Sequence, residues 1–204
     1  MINIQSKEPY ILTIKKKNSN LLSKSNKKTN NNKKNLFSPL SGSEPIYNPY
    51  IWNKNNKIKY SHNCYSYALS KIVNGLESKA QPGFSSGFSY FNNNSFNCED
   101  FKKRLKKDSP GSYIESFEKP CLPGFYKIFL ALDRTEDYHW WRQDNNGYWS
   151  HKPGSTEVIN TDASGKKIIN PLLSNRNFEH RNYSSPCFFT CINSDLSRSL
   201  NEIY

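Results

Sequence analysis

Two segments of this 204-residue chain carry side chains able to do nucleophilic chemistry together. His62 to Leu69 reads His-Asn-Cys-Tyr-Ser-Tyr-Ala-Leu, which sets Cys64 where a helix should begin. Asp137 to Gly154 holds His139 and His151, two of only four histidines. A thiol turns nucleophilic when its thiolate is stabilised, by a helix N-terminus and by a nearby imidazolium. Cys64 is thus the candidate nucleophile, His139 its base and His151 the group that orients the base. Asp137, Asp144, Asn160 and Asp162 are further candidates for that orienting place, since a carboxylate or an amide can accept from an imidazole.

The elements that must position these residues can be read from spacing. Tyr65, Ala68, Leu69, Ile72 and Val73 recur at helical intervals behind the capping residues Ser61 and Asn63, and Asn74-Gly75 is a stop, so the pattern predicts a helix of about three turns. Phe125–Leu132 reads as a buried strand. Tyr138–Gln143 and Tyr148–Lys152 read as a hairpin about Asn145-Asn146-Gly147, and Cys187–Ile192 as a last strand. With Gly147 left-handed, a three-residue loop pairs Asp144 with Tyr148 and Trp141 with His151. His139 and His151 then share a face, expected to be the one turned toward the Cys64 helix. A two-residue loop would send them to opposite faces. Glu99–Lys106 resembles a short basic helix, and the Gly-, Ser-, Asn- and Phe-rich stretch 81–96 an ordered loop lining a cleft.

Composition bounds the rest. The chain has a net charge of +12 and a mean hydropathy of -0.85, but 14% aromatic residues, so its core must be built largely from rings. Up to Glu44 there are 9 Lys and 2 Glu, which places +7 of the +12 in that stretch. Residues 1–45 read as a disordered Lys/Asn-rich tail, 46–195 as one domain and 196–204 as a flexible end. A basic tail can make weak contact with nucleic acid or an anionic surface. Lys and Asn also accumulate when a genome is AT-rich. No apolar run is long enough for a membrane span, and the first residues lack the apolar core of a secretory signal, so a cytoplasmic protein is expected.

Five cysteines without Cys-x-x-Cys spacing point to reduced thiols rather than a disulfide framework. His62, Cys64, His139 and His151 include zinc-ligand types but match no compact metal signature, so neither metal nor cofactor is expected. Arg142, Lys152 and Lys103 could meet an anionic substrate, although charges at such positions are usually solvated.

The Asn63-Cys64-Tyr65 helix start, the Tyr138-His139-Trp140 strand and Trp149-Ser150-His151-Lys152-Pro153-Gly154 together resemble a poorly characterised bacterial and viral group of papain-like thiol hydrolases. NlpC-type peptidases and CHAP amidases are its better-known relatives. The resemblance runs from about Tyr47 to Ile192. It implies an α+β fold with a Cys-bearing helix on a small antiparallel sheet, and cleavage of a peptide or amide bond through an acyl-enzyme. Cys64, His139 and His151 would be the triad, with Asn63 and Asp162 supporting the oxyanion and the site. The competing expectation is a catalytically inactive binding or particle-associated structural protein, attached by its basic tail, and virion-associated if the source is viral.

Overall fold

A computed structural model describes residues 36–75, 79–92, 96–133 and 137–197. Most of the expected tail and C-terminal end, 1–35 and 198–204, lies outside the described residues. The architecture is α+β. Three short helices, α1 (Pro49–Asn53), α2 (Asn56–Ser61) and α3 (Cys64–Ala68), lead to a longer α4 (Cys98–Asp108). Then come β1 (Tyr113–Ile114), β2 (Tyr126–Asp133), β3 (Asp137–Gln143), β4 (Trp149–Ser150), β5 (Asn177–Phe178), β6 (Arg181–Asn182) and β7 (Ser185–Ile192). The main sheet has the order β1-β7-β2-β3-β4, and each described pairing is antiparallel.

β2 is apolar along most of its length because both faces of the sheet are covered. Ile128 and Leu130 join Tyr65, Leu69, Phe101 and Leu105 in one core cluster. Phe129 and Ala131 join Trp141, Trp149, Ile168 and Tyr183 in another. The alternation of strand side chains divides the two cores, and rings fill both.

The β3–β4 hairpin has the register that a three-residue loop requires. Arg142 pairs with Ser150 and Gln143 with Trp149. Gly147 sits at φ 85°, and its N–H donates to the Asp144 carbonyl at 2.9 Å. A left-handed φ is open to glycine at little cost, which is why this turn ends on it.

α3 is shorter than its periodicity predicts. Asn63 caps it by accepting from the Ser66 N–H at 3.1 Å, but Ser70 turns left-handed at φ 54°. Lys71 then donates back to the Ser66 carbonyl at 3.0 Å. This is a Schellman-like stop on a serine, so no glycine signals it.

The domain also begins earlier than residue 46. Ser38 and Glu44 are buried. The fully buried Lys127 donates to Ser38 Oγ at 2.8 Å, to the Ser116 carbonyl at 2.9 Å and to the Phe117 carbonyl at 3.1 Å. It also reaches the Lys119 carbonyl. One ammonium thus ties the 36–45 segment and the 116–119 loop to β2, and residues 36–45 belong to the packed domain rather than the tail.

The expectation of reduced thiols is corrected by two disulfides, Cys98–Cys187 and Cys121–Cys191. Their Cα–Cα distances, 5.4 and 5.7 Å, lie in the range that a bridge spans. Both fasten β7, one to the start of α4 and one to the loop before β2. Cys64 is the free cysteine.

Candidate functional site

The histidine pair is built by the hairpin. His139 Nε2 and His151 Nδ1 lie 2.8 Å apart, and His151 Nε2 lies 3.0 Å from the Thr161 carbonyl. A carbonyl can only accept, so the His151 proton is on Nε2 and its Nδ1 offers a lone pair. His139 must therefore donate from Nε2, which leaves its own Nδ1 unprotonated. Burial, and then the neighbouring His151, hold His139 well below the usual imidazole range. Burial brings His151 down to about 4, although the Thr161 carbonyl and the Asp162 charge act the other way. Both rings are neutral at neutral pH.

Cys64 shares with His139 a cavity of about 360 Å³ whose walls also include Tyr90, Phe91, Tyr138 and Tyr183. Its packing, however, follows the other face of the strand. Tyr138 and Trp140 point into the core that α3 covers, and Cys64 belongs to that core. His139 alternates away from them, with its ring centroid 4.5 Å from Trp141 and 5.0 Å from Tyr183. The expectation that the shared histidine face turns toward α3 is thus corrected: the two histidines do share a face, on the opposite core.

The thiol is placed to donate to the Tyr138 carbonyl, at a sulfur–oxygen distance of 3.9 Å, and among the described residues it makes no hydrogen bond to the imidazole. Burial pushes Cys64 up to about 12, so the thiol stays protonated. The short helix does not reverse this.

The supporting residues have other work. Asn63 Nδ2 donates to the Ala80 carbonyl at 2.8 Å while Oδ1 caps α3, so its carboxamide is committed to the fold rather than to an oxyanion. Asp162 folds its own loop: Oδ1 accepts from the Ser164 N–H at 2.9 Å and the Lys166 N–H at 3.1 Å, and Oδ2 from the Asn175 N–H at 2.9 Å. It makes no hydrogen bond to His151. The Thr161 main-chain carbonyl takes that place, and no residue type could have signalled it.

His62 accepts from the Val73 N–H at Nε2, 3.0 Å, and its Nδ1 faces the Ile58 carbonyl at 3.1 Å, so it ties the end of α2 to the segment that follows α3. Among the described residues no group of three metal-ligand side chains is assembled.

Arg142 and Lys152, read as solvated or substrate-facing, are buried. Lys152 donates to the carbonyls of Lys59 at 2.6 Å, Gly154 at 2.9 Å and Thr156 at 2.8 Å. Arg142 is paired with Asp144 at 2.9 Å. Asp137, a candidate orienting residue, accepts from Arg181 at 2.8 Å and Tyr183 at 3.0 Å instead.

The geometry thus defines a disulfide-tied α+β domain with a neutral, buried thiol and histidine pair. It is 39% identical over 130 residues to insoluble matrix shell protein 1 of Ruditapes philippinarum, a match covering 64% of this chain and 80% of the relative. The chain belongs to the family of that shell matrix protein. No protein-family profile matches the chain, and no solved structure does.

This similarity overturns the assignment to papain-like thiol hydrolases and the reading of the chain as a thiol protease, peptidase or amidase. It also overturns the cytoplasmic expectation, because a shell matrix lies outside cells. The two disulfides agree, since such bonds persist in oxidising compartments. No helix among the described residues is long and apolar enough to cross a membrane.

Proposed function

We propose that this protein is a structural component of an extracellular matrix, held there by attraction between its positive charge and anionic matrix polymers. The observation that carries the reading is the similarity to a shell matrix protein across most of that relative's length. The chemistry of the domain supports it. Two bridges fasten β7, and the thiol and histidines are neutral and committed to hydrogen bonds within the domain. Its net charge of +12, of which +7 precedes Pro45, supplies long-range attraction to carboxylate- or sulfate-bearing surfaces.

Binding of the oxidised full chain to a column of anionic polysaccharide tests this. Exposed charges are screened over about 10 Å at 0.1 M salt and about 3 Å at 1 M. Retention should therefore fall steeply, by at least about tenfold in affinity, between low and high salt, and deletion of residues 1–35 should weaken it further. Retention indifferent to both salt and the deletion would refute the electrostatic attachment. Preference for nucleic acid over the polysaccharide at equal salt would redirect it to another partner.

A further inference from the structure

We propose that Asn182 is a site of N-linked glycosylation, the acceptor of a lipid-pyrophosphate-linked oligosaccharide. Asn182-Tyr183-Ser184 has the Asn-x-Ser pattern with a non-proline centre, which suits an exposed segment of a secreted chain. The fold presents it. Tyr183 is 7% exposed and turned inward, with its hydroxyl donating to Asp137 at 3.0 Å. Its neighbours alternate outward, so Asn182 and Ser184 are exposed.

The Asn182 carboxamide and the Ser184 hydroxyl make no hydrogen bond among the described residues. The Ser184 N–H donates to the Asn182 carbonyl at 2.8 Å, a tight turn that brings the two ends of the triplet together. The Asn182 N–H donates to Asp133, which fixes the backbone and leaves the side chain free. A glycan on Asn182 extends into solvent without displacing Tyr183.

In the transfer, Asn182 Nδ2 attacks the anomeric carbon of the oligosaccharide. An N–C bond forms, the C–O bond to pyrophosphate breaks with its electron pair leaving on the pyrophosphate, and the amide loses one proton. No oxidant or reductant takes part. Asn93-Asn94-Ser95 has the same pattern but lies outside the described residues.

The inference rests on the extracellular reading, and the test separates the two. The full chain is directed through the secretory pathway of a glycosylating host by an added leader. Secreted and retained pools are then treated with a peptide N-glycosidase in heavy-oxygen water and mapped by mass spectrometry. Position 182 should be converted to Asp carrying the heavy label. Occupancy there should be lost in Asn182→Gln and Ser184→Ala and kept in Ser184→Thr. An unmodified Asn182 peptide in both wild-type pools overturns the site whatever the variants do, and leaves the matrix reading to be judged by its own binding test.

Discussion

Loss of the Cys98–Cys187 bridge should destabilise the domain by about 4–5 kcal/mol on a chain-entropy estimate, within the roughly 2–5 kcal/mol usual for native bridges. The two cysteines are 89 residues apart, and Cys121 and Cys191 are 70 apart, so each bond closes a long loop in the unfolded chain. Both also fasten β7, which lies between β1 and β2 in the sheet. Urea unfolding of wild type against Cys98→Ser/Cys187→Ser and Cys121→Ser/Cys191→Ser measures the effect. The denatured, unreduced protein should titrate one thiol, Cys64. Five titrating thiols, or an unchanged urea midpoint in both variants, would show that the bridges do not hold the sheet together.

Arg142→Ala should cost about 3–5 kcal/mol, as expected when one partner of a buried ion pair is removed. The side chains of Arg142 and Asp144 are 3% and 1% exposed. The guanidinium also donates to Ser70 Oγ and Tyr67 Oη, both at 2.8 Å, and lies 4.1 Å from the centre of the Tyr67 ring. Burial raises the Asp144 carboxyl pKa even with the guanidinium beside it, so without Arg142 the carboxylate would be costlier still. Arg142→Lys keeps the charge but loses the fork, and should fall between Ala and wild type. Asp144→Ala added to Arg142→Ala should recover part of the loss. A cost below about 1 kcal/mol for Arg142→Ala would place the pair among solvated surface pairs.

What could be read in advance followed from local chemistry. Asn145-Asn146-Gly147 fixed the hairpin register because only a left-handed residue closes a three-residue loop of this kind, and glycine stood there. The apolar β2 run is equally local.

The rest depended on contacts made at long range. Cys98 meets Cys187 only after β7 has crossed the sheet, so spacing carried no sign of the bridge. Period-two alternation separates Tyr138 and Trp140 from His139 and Trp141, but not which pair the Cys64 helix will cover. Lys127 and Lys152 look like surface charges until folded loops surround each with main-chain carbonyls. The histidine pair was legible. Its anchor, the Thr161 carbonyl, has no side-chain signature.

The Cys64 thiol and the His139–His151 pair are neutral parts of the fold. The pH dependence of Cys64 alkylation in the folded, oxidised protein tests this most directly, beside His139→Ala and a urea-unfolded control. A thiol held near 12 should label far more slowly than in the unfolded chain, with no rate plateau at mildly acidic pH. Fast labelling near pH 6 that disappears in His139→Ala would instead reveal a thiolate–imidazolium pair.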